Sequence, residues 1–341
     1  MPKIASNTTN SPGDGILYDD RWMGQHGIGR YAAELFSRIP GLTPLPHTLQ
    51  KLHPLEPIWL SGVIWQRRPR GYFSPGFNPP LLSRVPMVLT LHDLNHLLVP
   101  ESTSWVRRAY YSAVVKPGCR RSERILTGSE FSRQHILEWT GLAAERVVKV
   151  SYGISKEFTP VGACHQPGYP YILYVGLRGP HKNLPRLIRA FAASRIDGAI
   201  RLLLTGQADE TLVSIAADAG CLDRLVFVGS PTDEKLAELY RGALALAMPS
   251  TFEGFGLPAV EAMACGTPAL IARVGGLSEA CGSSGLTVEP ERIESIVEGI
   301  QKVVSEQTLR RNLIASGLAW SSTYRWDLTA ARVCAVLAQL S

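Results

Sequence analysis

Cysteine is sparse in this chain of 341 residues, and its six copies are not spaced as metal or disulfide sites require. The six are Cys119, Cys164, Cys221, Cys265, Cys281 and Cys334. Because no two of them form a CxxC pair, the spacing argues against a zinc ribbon and against a disulfide framework. We therefore expect reduced thiols, most of them buried.

Long apolar runs are also missing. The longest clear run, residues 243–248, is far shorter than the ~20 residues that a membrane-spanning helix needs. The first 15 residues are polar and lack the apolar centre of a secretory signal peptide. We expect a protein that does not span a bilayer and that resides in the cytoplasm, with peripheral association at the inner face of the cytoplasmic membrane left open.

Positive charge is unevenly distributed along a chain whose composition is otherwise that of a globular protein. Hydrophobic residues make up 45% and charged residues 19%, and the length predicts two domains at ~100–200 residues each. Residues 1–150 contain 18 Lys and Arg against 11 Asp and Glu, whereas residues 151–341 contain 17 against 18. This asymmetry indicates an anionic partner for the first half, either nucleic acid or an acidic membrane surface.

Aromatic residues are interleaved with basic ones in two segments of that half, 59–72 and 105–116. The residues are Trp59, Trp65, Arg67, Arg68, Arg70, Tyr72, Trp105, Arg107, Arg108, Tyr110, Tyr111 and Lys116. Nucleic-acid stacking platforms and interfacial membrane helices both show this pattern, and so does a solvated basic face above buried aromatics. The pattern alone leaves all three interpretations open.

Short apolar runs alternate with helical patterns, most clearly in the second half, where the pattern predicts strands at 171–176, 201–206, 225–229, 243–248 and 269–272. Alternation of this kind is typical of βαβ units on a parallel sheet. The first half shows similar elements, among them a strand at 87–91. We therefore predict an α/β fold of two Rossmann-like halves, separated near residue 160 by a segment rich in Pro and Gly.

The densest chemical signal lies in residues 249–268, where a strand is followed by a glycine-containing loop and a helix opened by Pro258. The first N–H groups of such a helix have no internal partner and bind anions, phosphate above all. Two carboxylates, Glu253 on the loop and Glu261 in the first helical turn, would repel a phosphate, so sugar and ribose hydroxyls are their natural partners. The structural alternative is that Glu261 only complements the helix dipole.

Residues 253–261 resemble the E-x7-E motif of retaining glycosyltransferases with the GT-B architecture, specifically glycosyltransferase family 4. Other segments resemble that family in the same order: 26–31, 92–94, 127–132, 152–154, 174–185 and 232–249. The resemblance implies two Rossmann-like domains that face a cleft. An acceptor-binding domain would span 1–160, completed by a C-terminal helix at 326–341, and a nucleotide-sugar-binding domain would span 161–325.

The resemblance also implies roles for individual residues of the second half. Glu253 would bind hydroxyls of the transferred sugar, and Glu261 would bind the ribose hydroxyls. The loop backbone, namely Gly254, Phe255, Gly256 and Leu257, would meet the diphosphate. Lys182 and Arg178 would neutralise the diphosphate as it departs. Leu177 stands where some family members have Arg, so the register of Arg178 stays open and Lys182 is the preferred candidate. The chain has no D-x-D sequence, and we expect neither a metal nor another cofactor.

In the first half, Gly27 and Gly29 are interpreted as a tight turn between strand and helix that lets the donor approach the backbone. Their half-match to a dinucleotide fingerprint is weak, because the preceding strand is too far upstream. His92 follows an apolar strand, where a doubly wound sheet presents ligand-binding groups. The resemblance makes it an active-site histidine that hydrogen-bonds the sugar. The alternatives are a structural role or a metal pair with His96.

The resemblance is greatest to bacterial mannosyl- and hexosyltransferases. We therefore expect an enzyme that transfers a hexose, with mannose favoured, from a nucleoside-diphosphate sugar with retention. The acceptor would be a glycan or a lipid-linked glycan in bacterial surface-polysaccharide assembly, next to an anionic membrane surface and not a nucleic acid. Two alternatives are a sugar-nucleotide epimerase of the same architecture and a catalytically silent protein that binds a sugar nucleotide or a membrane.

Overall fold

The structure is a computed structural model that describes residues 15–24, 26–100 and 103–340. The expectation about a signal peptide concerns residues 1–15, and all of these except Gly15 lie outside the described residues. Among the residues that are described, no helix is long and apolar enough to cross a membrane. The six cysteines are free thiols and four of them are buried, as expected.

The first half of the chain forms a parallel six-stranded sheet with the order β2-β1-β3-β4-β5-β6. Its strands are β1 (Ile16–Tyr18), β2 (Leu42–Pro44), β3 (Gly71–Ser74), β4 (Met87–Thr90), β5 (Arg124–Thr127) and β6 (Val147–Lys149). The intervening helices are α1 (Gly27–Arg38), α2 (Glu56–Arg67), α3 (Asn95–Leu98), α4 (Trp105–Tyr110), α5 (Lys116–Arg121) and α6 (Glu130–Thr140). Strands β1, β3 and β4 are buried throughout, as expected of a parallel sheet covered on both faces.

The second half forms another parallel six-stranded sheet, with the order β12-β11-β10-β7-β8-β9. Its strands are β7 (Tyr171–Tyr174), β8 (Arg201–Leu204), β9 (Leu225–Phe227), β10 (Ala245–Met248), β11 (Ala269–Ala272) and β12 (Leu286–Val288). Its helices are α7 (Leu184–Ala193), α8 (Glu210–Asp218), α9 (Asp233–Gly242), α10 (Leu257–Ala264), α11 (Gly275–Cys281), α12 (Ile293–Ser305) and α13 (Gln307–Ser321). The predicted α/β fold of two Rossmann-like halves is confirmed.

The last helix, α14 (Trp326–Leu337), returns to the first sheet. Its residues Trp326, Val333 and Leu337 belong to the same apolar cluster as Ile16 and Phe73 of β1 and β3. We call the first sheet with its helices and α14 the first unit, and the second sheet with α7 to α13 the second unit.

Each sheet has a point at which the strand order reverses, and ligands of such sheets bind beyond the carboxyl ends of the strands at that point. In the first sheet it lies between β1 and β3, and in the second between β7 and β10. The loop after β10 reaches the first unit, because the backbone oxygen of Gly254 accepts bonds from the hydroxyls of Ser129 (2.6 Å) and Ser132 (3.1 Å). The loop after β10 therefore faces the carboxyl end of the first sheet across one cleft.

Candidate active site

The loop between β10 and α10 has a backbone that only glycine allows at Gly256. This residue has φ +108°, and a side-chain carbon there would lie 2.4 Å from Cδ1 of Leu277. Helix α10 begins at Leu257, with Pro258 at its second position. The expected place of Glu261 in the first helical turn is wrong, because it is the fifth residue of α10 and lies one turn further in.

Glu253 on this loop forms an ion pair with Lys182. The Lys182 ammonium donates to both carboxylate oxygens, at 2.8 and 3.0 Å, and the two side chains are only 16% and 10% exposed. They meet because β7 and β10 are neighbours in the sheet, so that the loops that follow these strands leave the same edge.

The backbone around Lys182 is fixed by the residues beside it. The buried amide of Asn183 donates to the carbonyls of Pro249 (2.9 Å) and Pro290 (2.7 Å). The N–H of Thr251 donates to the carbonyl of His181 at 2.8 Å. Because the loops of β7 and β10 are tied together in this way, Lys182 and Glu253 are presented as one preformed pair.

Glu261 is buried and has a donor on each carboxylate oxygen. Arg30 of α1 donates to Oε1, and the Tyr240 hydroxyl donates to Oε2 at 3.1 Å. Burial raises the pKa of Glu261, and the charge of Arg30 opposes that shift. A cation from the first unit thus compensates the carboxylate that is the candidate for binding ribose.

His92 follows β4 and has protein partners for both ring nitrogens. Nε2 lies 2.9 Å from the carbonyl of Pro75, so it carries the proton, and Nδ1 then accepts from the Tyr152 hydroxyl at 2.6 Å. Burial lowers the pKa of His92 to about 4, an effect that the bond to Pro75 partly offsets. The ring is therefore neutral near pH 7, and a sugar hydroxyl would have to replace one of these partners to reach it.

A metal site at His92 and His96 has no support in the described residues, because none of them form a group of three or more His, Cys, Asp or Glu side chains placed to hold a metal ion. His96 instead lies against the rings of Phe77 and Tyr111.

Asp93 brings a third carboxylate to the cleft. Its Oδ1 accepts from the N–H of Asn95 at 2.9 Å, and a side-chain carbon at Gly254 would lie 2.5 Å from its Cβ. Burial raises the pKa of Asp93 to about 6. The Asn95 amide lowers this pKa, the charge of Glu253 raises it, and the charge of Lys182 lowers it by a smaller amount. Gly254 is required here because any side chain would collide with Asp93.

The interpretation of Gly27 and Gly29 as the turn itself is wrong, since they are the first and third residues of α1. The Gly29 N–H donates to Nδ1 of His26, which caps the helix at 2.9 Å. A side-chain carbon at Gly29 would lie 2.3 Å from the carbonyl oxygen of Gly24, so this glycine makes room for the protein's own backbone. Gly27 faces the second unit, since a side-chain carbon at this position would lie 3.7 Å from Cδ1 of Leu257.

Arg178 binds a different part of the second unit. Its guanidinium donates to the carbonyl of Gln207 and lies 3.5 Å from the carboxylate of Asp209, on the loop after β8. It also lies 5.3 Å from the centre of the Phe227 ring. Lys182 is therefore the cation held directly at Glu253, whereas Arg178 would have to leave these partners to join it.

A further bridge between the units lies at α6. Glu279 accepts from the N–H groups of Glu130 (2.9 Å) and Phe131 (3.1 Å) at the start of α6, and from the Lys149 ammonium at 2.6 Å. Burial acts to raise the pKa of Glu279, but these donors outweigh it and lower the pKa. The first turn of α6 thus binds a carboxylate across the cleft.

Several residues of the site had no role assigned from the sequence: Arg30, Asp93, Ser129, Ser132, Tyr240 and Glu279. Most lie inside segments that resemble the family, such as 26–31 and 127–132. The sequence could not assign partners to these residues, because the partners are distant along the chain. Arg30 and Glu261, for example, are 231 residues apart.

Comparison with known proteins accounts for this arrangement. Residues 30–158 match the family model described as Glycosyltransferase Family 4, and residues 157–320 match the model described as Glycosyl transferases group 1. The chain belongs to glycosyltransferase family 4. Its fold is GT-B, the arrangement that the resemblance implied.

Relatives of this family-4 glycosyltransferase include the O-antigen chain mannosyltransferase B of Escherichia coli. The two are 28% identical over 291 residues, which are 81% of this chain and 75% of the relative. The serotype-specific mannosyltransferase WbdA of E. coli is 27% identical over 227 residues, or 62% of this chain. The chain spans only 28% of the length of WbdA.

Solved structures show the same fold. WaaG, a glycosyltransferase involved in lipopolysaccharide biosynthesis, matches with a TM-score of 0.76 at 13% identity, over 94% of this chain and 99% of its own. Anabaena Alr3699/HepE in complex with UDP and glucose matches with a TM-score of 0.73 at 18% identity, over 95% and 99%. At these identities the likeness is evidence for the fold alone.

Proposed function

We propose that this family-4 glycosyltransferase transfers a hexose, with mannose favoured, from a nucleoside-diphosphate sugar to a glycan or lipid-linked glycan in bacterial surface-polysaccharide assembly. The observation that carries the proposal is the ion pair of Lys182 and Glu253 beside the start of α10. The name of the O-antigen chain mannosyltransferase B supports the choice of mannose and of the pathway class.

The donor would lie against the second unit, residues 161–325. A helix start and a lysine both favour a diphosphate, and the backbone of Phe255, Gly256 and Leu257 would approach it. When the diphosphate attracts the Lys182 ammonium, the Glu253 carboxylate becomes free to accept from sugar hydroxyls. Glu261 would accept from the ribose. The UDP bound to HepE supports a nucleotide as the carrier of the sugar.

The transfer would retain the anomeric configuration. The bond from the anomeric carbon to the phosphate oxygen breaks, and the acceptor oxygen bonds to the same face of that carbon. The proton of the acceptor hydroxyl passes to the departing phosphate. Lys182, with Arg178 after it leaves Asp209, would stabilise the negative charge on the leaving diphosphate, so we propose that the reaction needs no metal ion. His92, which is neutral, would hydrogen-bond the sugar once a sugar hydroxyl replaces Tyr152 or Pro75 as its partner.

The acceptor would lie against the first unit, residues 1–160, and that unit would contact an anionic membrane surface. Helix α4 exposes Trp105 (80%) and Val106 (55%) next to the exposed side chain of Arg108. On α2, Trp65 is 57% exposed, and the Arg84 guanidinium lies 4.2 Å from its ring centre. Exposed tryptophan beside arginine suits the polar boundary of a bilayer. Peripheral association would bring the site to a lipid-linked acceptor.

The decisive experiment compares the wild-type enzyme with Glu253→Gln in transfer assays with GDP-, UDP- and ADP-sugars. The substitution keeps the shape but removes charge-assisted bonds of about 1.5–3 kcal/mol each, so we expect transfer to fall at least about tenfold while the nucleoside diphosphate still binds. The matched control is Glu298→Gln on the exposed face of α12. The one-bond carbon–proton coupling at the anomeric centre of the first product reports its configuration, and an inverted product would contradict the mechanism.

A further inference from the structure

Arg30 connects the two units at the site proposed for ribose. Its guanidinium donates through one nitrogen to Oε1 of Glu261 and through the other to Oδ1 of Asp233, the latter at 2.5 Å. The guanidinium carbon also lies 5.1 Å from the ring centre of Phe158. With only 16% of its side chain exposed, Arg30 is held by these partners together and not by one surface pair.

The bridge leaves little of Glu261 exposed to solvent. The Glu261 side chain is 3% exposed, and the Tyr240 hydroxyl occupies its second oxygen. Each carboxylate oxygen can accept two bonds, so both still have an acceptor position for a ribose hydroxyl. A cavity of about 410 Å³, lined by Arg30, Glu34 and Asp233 among others, adjoins the bridge.

The charge of Arg30 also affects whether Glu261 is protonated. A buried carboxylate without a cation takes up a proton, and the nearby carboxylate of Asp233 favours that protonation. A protonated Glu261 would lose its charge and part of its capacity to accept bonds. Removing one partner of a buried ion pair is costly for this reason.

We propose that Arg30 is a positioning residue for the ribose of the donor: the first unit supplies this cation to orient and compensate Glu261, so that the carboxylate accepts from ribose hydroxyls. The proposal rests on the proposed function, in which Glu261 binds ribose. It adds that this binding depends on a residue of the opposite unit, and therefore on closure of the cleft.

The test measures discrimination between ribose and deoxyribose. Calorimetry gives the dissociation constants of GDP, UDP and ADP and of the 2′-deoxy counterpart of each, for the wild type, Arg30→Gln, Arg30→Lys, Glu261→Gln and the double variant with both glutamines. For the nucleotide that the wild type prefers, we expect the deoxy form to bind at least about tenfold more weakly, the loss of one hydrogen bond to a charged group.

The quantity compared is the ratio of the dissociation constants of the deoxy and ribo forms. In Arg30→Gln we expect this ratio to fall below about threefold. It should not fall further in the double variant, because Arg30 and Glu261 act together. Arg30→Lys keeps the charge but not the fork that reaches two carboxylates, so its ratio should be intermediate. Arg38→Gln is the control, because Arg38 lies on the same helix, pairs with Glu34 and Asp327 and is more exposed. Its ratio should equal that of the wild type.

The outcomes separate the two proposals. A wild type that binds none of the nucleotides, or binds ribose and deoxyribose forms equally, overturns the ribose role of Glu261 and the present inference with it. A full tenfold ratio in a folded Arg30→Gln overturns only the inference and makes the bridge a structural contact between units. Thermal unfolding monitors folding, and if Arg30→Gln does not fold, a wild-type ratio in Arg30→Lys overturns the inference in the same way.

Discussion

Replacing Asp93 with Asn should stabilise the enzyme at high pH while it impairs activity. The carboxylate is held beside Gly254 with one amide donor, and its pKa is raised to about 6, against about 3.9 in an unfolded chain. Between pH 4 and pH 6 the Asp93 carboxyl group is therefore more protonated in the folded state than in the unfolded state. The contribution of Asp93 to stability is therefore most favourable below pH 4, is lost as the pH rises towards 6 and stays lost above it.

The magnitude follows from the shift of about two pKa units. At 1.36 kcal/mol per unit the ionised carboxylate costs up to about 3 kcal/mol of folding free energy, and partial access to solvent reduces this to about 1–2 kcal/mol. The amide that replaces the carboxylate would keep the acceptor for the Asn95 N–H without the charge. We expect Asp93→Asn to be about 1–2 kcal/mol more stable than the wild type at pH 8 and to keep only about a third of that advantage at pH 4.5, where the unfolded carboxylate is already mostly ionised and the folded one is not.

Urea unfolding at pH 4.5, 6 and 8, followed by tryptophan fluorescence, measures this difference, with the exposed Asp223→Asn as control. Transfer should fall because Asp93 packs against Gly254, in the loop that carries Glu253. A variant that is less stable than the wild type at pH 8 would refute the argument, since it would mean that ionised Asp93 has a stabilising partner. A difference that does not depend on pH would refute it as well.

Three further predictions concern charge. Lys182→Ala should weaken nucleoside-diphosphate binding about tenfold without unfolding the enzyme, as measured by calorimetry; unchanged affinity would assign the role to Arg178 or remove it. Transfer should persist after dialysis against EDTA, and an activity that returns only with manganese or magnesium would contradict a site that uses cationic side chains. Trp105→Ala with Arg108→Glu should reduce sedimentation with anionic vesicles at low salt, where each basic residue contributes about 1 kcal/mol; equal binding to neutral vesicles would favour a soluble acceptor and a solvated basic face.

The long apolar strands could be predicted from sequence because a parallel strand buried on both faces is apolar throughout. The predicted strand at 87–91 corresponds to Met87–Thr90, and that at 171–176 to Tyr171–Tyr174. The sequence pattern did not predict the strands Leu42–Pro44 and Leu286–Val288. Each has three residues at a sheet edge and is partly exposed, so neither length nor periodicity distinguishes it from a loop.

Gly29 and Gly256 show why a sequence motif does not by itself predict the local backbone conformation. Both Gly29 and Gly256 lie in segments that resemble the family, but their reasons for lacking a side chain differ. Gly256 requires a left-handed backbone, whereas Gly29 sits in a regular helix against the backbone of Gly24. The second reason depends on where the preceding loop folds, which local propensity does not encode.

The two glutamates of the loop and helix are each compensated by a cation, but the cations come from different parts of the molecule. Lys182 belongs to the same unit as Glu253, and bonds at Asn183 and Thr251 fix their loops together. That pair would therefore survive a separation of the units. Arg30 belongs to the opposite unit, so Glu261 would lose its cation if the units separated. If Glu253 binds the sugar and Glu261 the ribose, as proposed, the sugar site would be built within one unit, whereas the ribose site would depend on both.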